Sequence, residues 1–188
     1  MNGSISHLTR RCFWSIRAAR PLDPDERELV SSLLGQELHG LFARMTDQDQ
    51  RHSFEVMQAV RLAYPHAPTS IVQAALMHDV GKSAAPLGTL GRVAATLLAP
   101  IIRRREPVAV GEGSVADGGS EAATGLMANL RIYVHYERIG AQLIRFAAPE
   151  ADSVVADWAE QHHEHERSWT IPIEWGWALA DADRGGVG

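Results

Sequence analysis

The sequence predicts an all-α protein that forms one domain, and three observations support this prediction. No segment keeps the alternation of apolar and polar residues, with a period of two, that a half-buried strand would show. Apolar residues instead recur at helical spacing in most of the chain. A length of 188 residues, with 45% hydrophobic and 22% charged residues, is typical of one globular domain with a sizeable core.

The first two helical segments are predicted over 23–45 and 46–64. The first segment forms either one helix or two helices that are separated at Gly35. The second segment begins at Thr46, a residue type that caps helices, and it has acids in its first turn, where they complement the helix dipole.

A third helix follows the turn at 65–68. Thr69 is its expected cap and His78 its expected end. A further apolar helix is expected over 91–105, and Pro100 is expected to bend or break it.

The second half of the chain combines one irregular segment with three helices. Residues 106–125 lack periodicity and hold five glycines within 111–125. This glycine-rich loop is either a mobile connection or a lid. Helices are predicted to resume over 133–147, 151–164 and 173–184.

The chain divides into a basic arm, 1–22, and a single domain, 23–188. The arm carries four arginines and no acid, so the total net charge of −5 leaves about −9 on the domain. We therefore expect no nucleic-acid partner, since such proteins present basic surfaces. The arm is either a solvated or back-packed segment, or a contact for an anionic surface or partner.

Other features of the sequence are typical of a cytoplasmic protein. Cys12 is the only cysteine, which excludes an internal disulfide and a cysteine-based zinc site. No apolar stretch reaches 18 residues, and the first residues lack the apolar core and cleavage site of a signal peptide. We therefore expect a cytoplasmic protein without a membrane span, and we leave its oligomeric state open.

Five predicted helices each place one potential metal ligand on an apolar face. A single histidine in such a position is usually a satisfied core residue, but five such placements are improbable by chance. Imidazole nitrogens and carboxylate oxygens suit Mn²⁺, Fe²⁺, Co²⁺ or Zn²⁺, and six ligands with one bridging carboxylate can hold two such ions. The candidate ligands are His52, His78, Asp79, His135, His162 and Asp183.

Two positions near these ligands leave alternatives open. Asp181 also lies on an apolar face of the last helix, and we prefer Asp183 because small residues beside it leave room for a metal. His163 points to a more polar side than His162. It is a candidate for the outer edge of the site or for a second metal, or it is solvated.

The order of these motifs resembles the HD superfamily of metal-dependent phosphohydrolases. HDVGK (78–82) resembles the HDIG form of the central motif. HYERIGAQLI (135–144) and AEQHHEH (159–165) resemble segments of its cyclic-dinucleotide phosphodiesterase branch. The resemblance spans 46–184 and implies an HD-domain helical bundle with one or two metals in its core.

The resemblance also implies a reaction, the hydrolysis of a phosphomonoester or phosphodiester. The implied substrate is a small phosphorylated molecule, namely a nucleotide or cyclic nucleotide. Catalytic roles are implied for Asp79 and for Lys82, which would neutralise phosphate charge, and Arg138 is a further candidate for a phosphate contact. Lys82 could equally be a surface cation at a helix C-terminus.

The resemblance leaves two other classes of function open. HERSWTIP (165–172) stands where the phosphodiesterase branch has Asp-Gly and Gly-Tyr-Pro, which disfavours recognition of cyclic di-GMP. A diiron oxygenase branch shares the ligand order. A non-catalytic signalling or binding module of the HD type is the third class.

Overall fold

The computed structural model describes residues 20–84 and 133–185, together with residue 130. The expected helix at 91–105, the glycine-rich loop 106–125 and most of the basic arm lie outside the described residues. Within them the chain forms helices and no strand, which confirms the all-α prediction. The helices are α1 (Pro24–Phe42), α2 (Asp47–Ala63), α3 (Thr69–Met77), α4 (Tyr136–Ala147), α5 (Ser153–Gln161) and α6 (Ile173–Asp183), with short 3₁₀ helices at Val80–Ala84 and Glu166–Ser168.

Helix α1 has a capping box at its start and a break inside. The Asp23 side chain accepts a hydrogen bond from the Glu26 backbone N–H, and the Glu26 side chain accepts one from the Asp23 N–H. Gly35 has φ 69° and ψ 177°, a conformation that is restricted to glycine. Of the two alternatives that the sequence left open for this segment, the structure therefore shows the one with a break at Gly35.

The sequence predicted the N-cap residue correctly for α2 but not for α3. Thr46 caps α2 as expected, since its side chain accepts from the Asp49 N–H. The prediction that Thr69 caps α3 is wrong. Thr69 is the first helical residue, and Pro68 takes the cap position without a side-chain bond, because its carbonyl already accepts from the N–H groups of Ile71 and Val72.

Helix α3 is the centre of the described bundle. It packs against α1, α2, α5 and α6. Six of its nine residues are buried, among them Ala74 and Ala75 with no exposed surface. Small side chains allow neighbouring helices to approach closely. The residues that follow α3 therefore begin in the interior of the protein.

A contact between two glycines joins α4 to the 3₁₀ helix Val80–Ala84. A Cβ on Gly81 would collide with the carbonyl oxygen of Tyr136 and lie 2.7 Å from the Gly140 nitrogen. A Cβ on Gly140 would lie 3.0 Å from the Gly81 nitrogen. The two backbones are therefore in direct contact, and this contact determines where α4 lies relative to the end of α3.

The described helices include none with the length and apolar character needed to cross a membrane.

Candidate metal centre

The end of α3 places a histidine and an aspartate in the core. His78 is the C-cap residue of α3, and Asp79 leads into the 3₁₀ helix. Both are almost fully buried, at 1% and 2% exposure. Polar side chains at such depth need partners, because an unpaired buried polar group costs about 1–3 kcal/mol.

His52 from α2 and Asp183 from α6 meet this pair. His52 Nε2 lies 3.0 Å from Asp183 Oδ1 and 3.9 Å from Asp79 Oδ2. His78 Nε2 lies 3.5 Å from Asp79 Oδ2 and 3.7 Å from Asp183 Oδ1. One ligand atom each from His52, His78 and Asp183 lies within 4.8 Å of the others. We call His52, His78, Asp79 and Asp183 the His–Asp cluster.

Helix α5 adds His162 to one side of the cluster. His162 follows Gln161 as the C-cap of α5 and is buried. Its Nε2 lies 3.7 Å from Asp79 Oδ1, whereas His52 and His78 approach Asp79 Oδ2. The His162 ring also lies 5.2 Å from the His78 ring, so imidazoles approach both oxygens of Asp79.

The hydrogen bonds of two buried histidines fix their tautomers. His78 Nδ1 lies 2.9 Å from the Ala75 carbonyl oxygen, and His162 Nδ1 lies 3.1 Å from the Ala159 carbonyl oxygen. A carbonyl oxygen only accepts, so each Nδ1 carries a proton and each neutral ring presents a lone pair at Nε2. Metal-binding histidines are commonly oriented by such a bond from the other ring nitrogen.

One of these lone pairs has no hydrogen-bond partner. Within the part of the chain that the structure describes, His78 Nε2 is a buried nitrogen without one. It points to the space that it shares with His52 and the two carboxylates. Buried unsatisfied atoms are rare, and a bound ion is one of the few explanations for them. The donor set therefore fits a metal.

Electrostatics keep the carboxylates of the cluster ionised. Burial raises the pKa of Asp79, but the neighbouring groups, above all the charge of Lys82, hold this pKa well below its usual range. Burial also raises the pKa of Asp183, but the hydrogen bond from His52 and the charges of His78 and His52 together lower it by more. Burial, followed by His163, lowers the pKa of His162 and keeps its ring neutral.

Lys82 reaches back from the 3₁₀ helix to the cluster. Its Nζ donates to Asp79 Oδ2 at 2.5 Å and lies 5.0 Å from the centre of the Tyr136 ring. Burial lowers the pKa of Lys82, but the charges of Asp79 and then Asp49 raise it by more, so the side chain stays cationic. The interpretation of Lys82 as a mere surface cation is wrong, since its side chain is only 18% exposed.

Two residues of this region were not predicted from the sequence. Asp49 is 5% exposed and accepts from the Thr46 hydroxyl at 2.6 Å. The Tyr136 hydroxyl lies 3.2 Å from His162 Nε2 and 2.7 Å from His163 Nε2. A signal for Tyr136 exists in the sequence, because it shares a helical face with Gly140 and Ile144, which are both buried.

The interpretation of the α4 face is corrected by this packing. Helical spacing places His135 in line with Ile139, Leu143 and Phe146, and this apolar line predicts that their face points toward the core. Phe146 is 90% exposed, and the buried face of α4 instead begins with Tyr136. His135 is half-buried and precedes the first turn of α4, because the glycine contact turns the neighbouring face inward.

Of the remaining candidate site residues, one lies at the His–Asp cluster and three are exposed. Asp183 joins the cluster, whereas Asp181 is exposed and pairs with Arg184. His163 is exposed but reaches Tyr136. Arg138 is exposed, and its Nε lies 4.0 Å from a carboxylate oxygen of Glu160 on the surface.

Comparisons with known proteins found no match among family models, curated proteins or solved structures. The chemistry of the cluster is therefore inferred from its donor atoms. Imidazole nitrogens and carboxylate oxygens are ligand types that metal ions bind in proteins. His52, His78 and Asp183 together could hold a metal ion.

Proposed function

We propose that this chain is a metal-dependent phosphohydrolase of the HD type. It would cleave a phosphomonoester or phosphodiester of a small molecule, and the proposed substrate is a nucleotide or cyclic nucleotide. Its metal would be held by His52, His78, Asp79 and Asp183. The substrate class rests on the resemblance of HDVGK and the later motifs to the HD superfamily.

The observation that carries the proposal is the buried lone pair of His78 Nε2. It has no hydrogen-bond partner in the described residues, and its tautomer is fixed by a backbone carbonyl. Two carboxylate oxygens lie 3.5 and 3.7 Å away, too far for good hydrogen bonds and close enough to share a cation with it. A cation resolves this arrangement better than a proton would.

A divalent metal in this position would supply a Lewis acid that polarises a phosphoryl oxygen and makes hydroxide available at neutral pH. The protein's own groups would do the rest. Lys82 is a buried cation at the edge of the cluster, and it would offset negative charge on the phosphate. Asp79 holds Lys82 in this place.

The exposure of the cluster is uneven, which suggests the side from which a substrate would enter. The side chain of His52 is 37% exposed and that of Asp183 13%, whereas those of His78 and Asp79 are at 2% and 3%. A phosphate group would approach over His52 and Asp183. The leaving group would then remain toward solvent.

The test combines metal analysis with a phosphoester screen. Protein purified without added metal is analysed for its elements, then assayed with nitrophenyl phosphate esters, nucleotides and cyclic nucleotides after addition of Mn²⁺, Fe²⁺, Co²⁺ or Zn²⁺. We expect bound metal, phosphate release and the loss of both in His78→Ala. His66→Ala is the matched control, because His66 is exposed in the turn before α3.

Three results would overturn the proposal. Protein that cannot be loaded with any of these metals would remove the site. Bound metal without hydrolysis of any ester would favour a non-catalytic module. Two irons with O₂-dependent turnover would favour the oxygenase class.

A further inference from the structure

The Tyr136 hydroxyl stands where a second metal would have to bind. The His162 and His163 rings are neighbours, with their centres 4.1 Å apart, and His162 Nε2 lies 3.7 Å from Asp79 Oδ1. Two neighbouring imidazole nitrogens are donor types that a second ion would use. The phenol oxygen lies 2.7 Å from one imidazole nitrogen and 3.2 Å from the other, so it fills the gap between them.

We propose that Tyr136 is a positioning residue that limits the centre to one metal ion. This inference rests on the proposed metal site, and it concerns how many ions that site admits. A metal would need to lie about 2.0–2.1 Å from an imidazole nitrogen. An oxygen atom already in contact with both nitrogens leaves no room for an ion that binds both.

The Tyr136 hydroxyl also donates a hydrogen bond to the lone pair of His162 Nε2. His162 Nδ1 carries its proton toward the Ala159 carbonyl, so Nε2 can only accept, and the Tyr136 O–H is the donor within reach. A neutral hydrogen bond contributes only about 1 kcal/mol, far less than a metal bond. The exclusion is therefore steric, and it depends on whether the ring can move away.

Packing holds the Tyr136 ring in place. The residue is 7% exposed, Lys82 Nζ lies 5.0 Å from the ring centre, and the Tyr133 ring lies 5.8 Å away. The Tyr136 carbonyl is pressed against Gly81, so the backbone cannot shift without opening the glycine contact. The phenol oxygen is thus a fixed part of the centre.

Lys82, the cation beside the Tyr136 ring, does not block a second ion. Lys82 donates to Asp79 Oδ2, on the side of the His–Asp cluster, and leaves Oδ1 to face His162. Removal of the hydroxyl would therefore free the two imidazole nitrogens, with Asp79 Oδ1 3.7 Å from that of His162. Lys82 would not need to move.

The experiment counts bound Zn²⁺ by elemental analysis and calorimetric titration. We expect about one equivalent in the wild type and about one further equivalent in Tyr136→Phe. The further equivalent should be lost again in the double variant Tyr136→Phe/His163→Ala. Tyr64→Phe is the matched control, because Tyr64 lies at the C-terminal end of α2, with its ring on Trp175.

The outcomes separate this inference from the proposed function. Two equivalents in the wild type, or one in Tyr136→Phe with an unchanged fold by circular dichroism, would overturn the inference and leave the metal site standing. No bound Zn²⁺ in the wild type would overturn both. If Tyr136→Phe fails to fold, Tyr136→Leu, which also lacks the hydroxyl, is counted in its place with the same two outcomes, and a wild-type count of two overturns the inference without either variant.

Discussion

Substitution of Gly81 by alanine tests the contact that assembles the candidate centre. The new Cβ would collide with the Tyr136 carbonyl oxygen and lie 2.7 Å from the Gly140 nitrogen. Both obstacles are backbone atoms, so neither can rotate away as a side chain would. The 3₁₀ helix and α4 would have to separate by about 1 Å or more, because close-packed interiors do not absorb such an overlap.

The expected cost lies at the upper end of the range for overpacking. Extra methylene groups in a well-packed core cost about 1–3 kcal/mol, and here no flexible side chain can yield, so we expect Gly81→Ala to lower the free energy of unfolding by about 3 kcal/mol. Metal affinity should fall as well, because Lys82 and Tyr136 lie on the two elements that separate.

Two other glycines provide a graded control in the same assay, urea denaturation followed by circular dichroism. Gly140→Ala brings its Cβ to 3.0 Å from the Gly81 nitrogen, a smaller overlap, so we expect a loss of about 1 kcal/mol. Gly40 lies in α1 with nothing within 4 Å of an added Cβ. Gly40→Ala should stabilise the protein by up to about 1 kcal/mol. A Gly81→Ala protein within about 1 kcal/mol of the wild type would refute the reasoning.

Three further predictions concern the candidate metal centre, a partly buried ion pair and the break in α1. Asp183→Asn should weaken Zn²⁺ binding by at least about 100-fold in a calorimetric titration, and equal weakening by Asp181→Asn would show that the wrong aspartate has been assigned. Arg51 lowers the pKa of Glu26 to about 2, so this pair stabilises the fold fully above about pH 5 and loses its contribution as the pH falls toward 2. The destabilisation caused by Arg51→Met, about 2 kcal/mol at pH 7, should therefore shrink over that range, and a constant difference would contradict the pairing. Gly35→Ala should lower the free energy of unfolding by about 1–3 kcal/mol in the same urea assay, because alanine strains at φ 69° and ψ 177°, and an unchanged midpoint would contradict this.

The helices themselves were largely predictable from local signals. Thr46, the acids after it and Gly35 act through their own backbone neighbourhood, and the structure places a cap and a break at these residues. Thr69 shows where local signals fail. Threonine is a common cap residue, but here Pro68 occupies the cap position and Thr69 is the first residue of the helix. The position of the cap therefore depends on backbone geometry that composition does not reveal.

The centre was predictable where a ligand continues an apolar face in register. His52, His78, His162 and Asp183 all lie in line with buried residues of their own helices. The structure groups His52, His78 and Asp183 and places His162 Nε2 3.7 Å from Asp79 Oδ1. Helical spacing determines such alignments without knowledge of the neighbours. Residues 78–79 were also marked by position, since a central apolar helix that ends in His-Asp must bury both.

Only the tertiary structure decided which face of α4 turns inward. Two apolar lines run along that helix, one through His135 and one through Tyr136, and periodicity gives them equal weight. The contact between Gly81 and Gly140 selects the second line and buries the tyrosine. Tertiary packing likewise placed Asp183 rather than Asp181 at the centre and drew Lys82 onto Asp79, since a sequence fixes the spacing of side chains along a helix but not which neighbour will approach it.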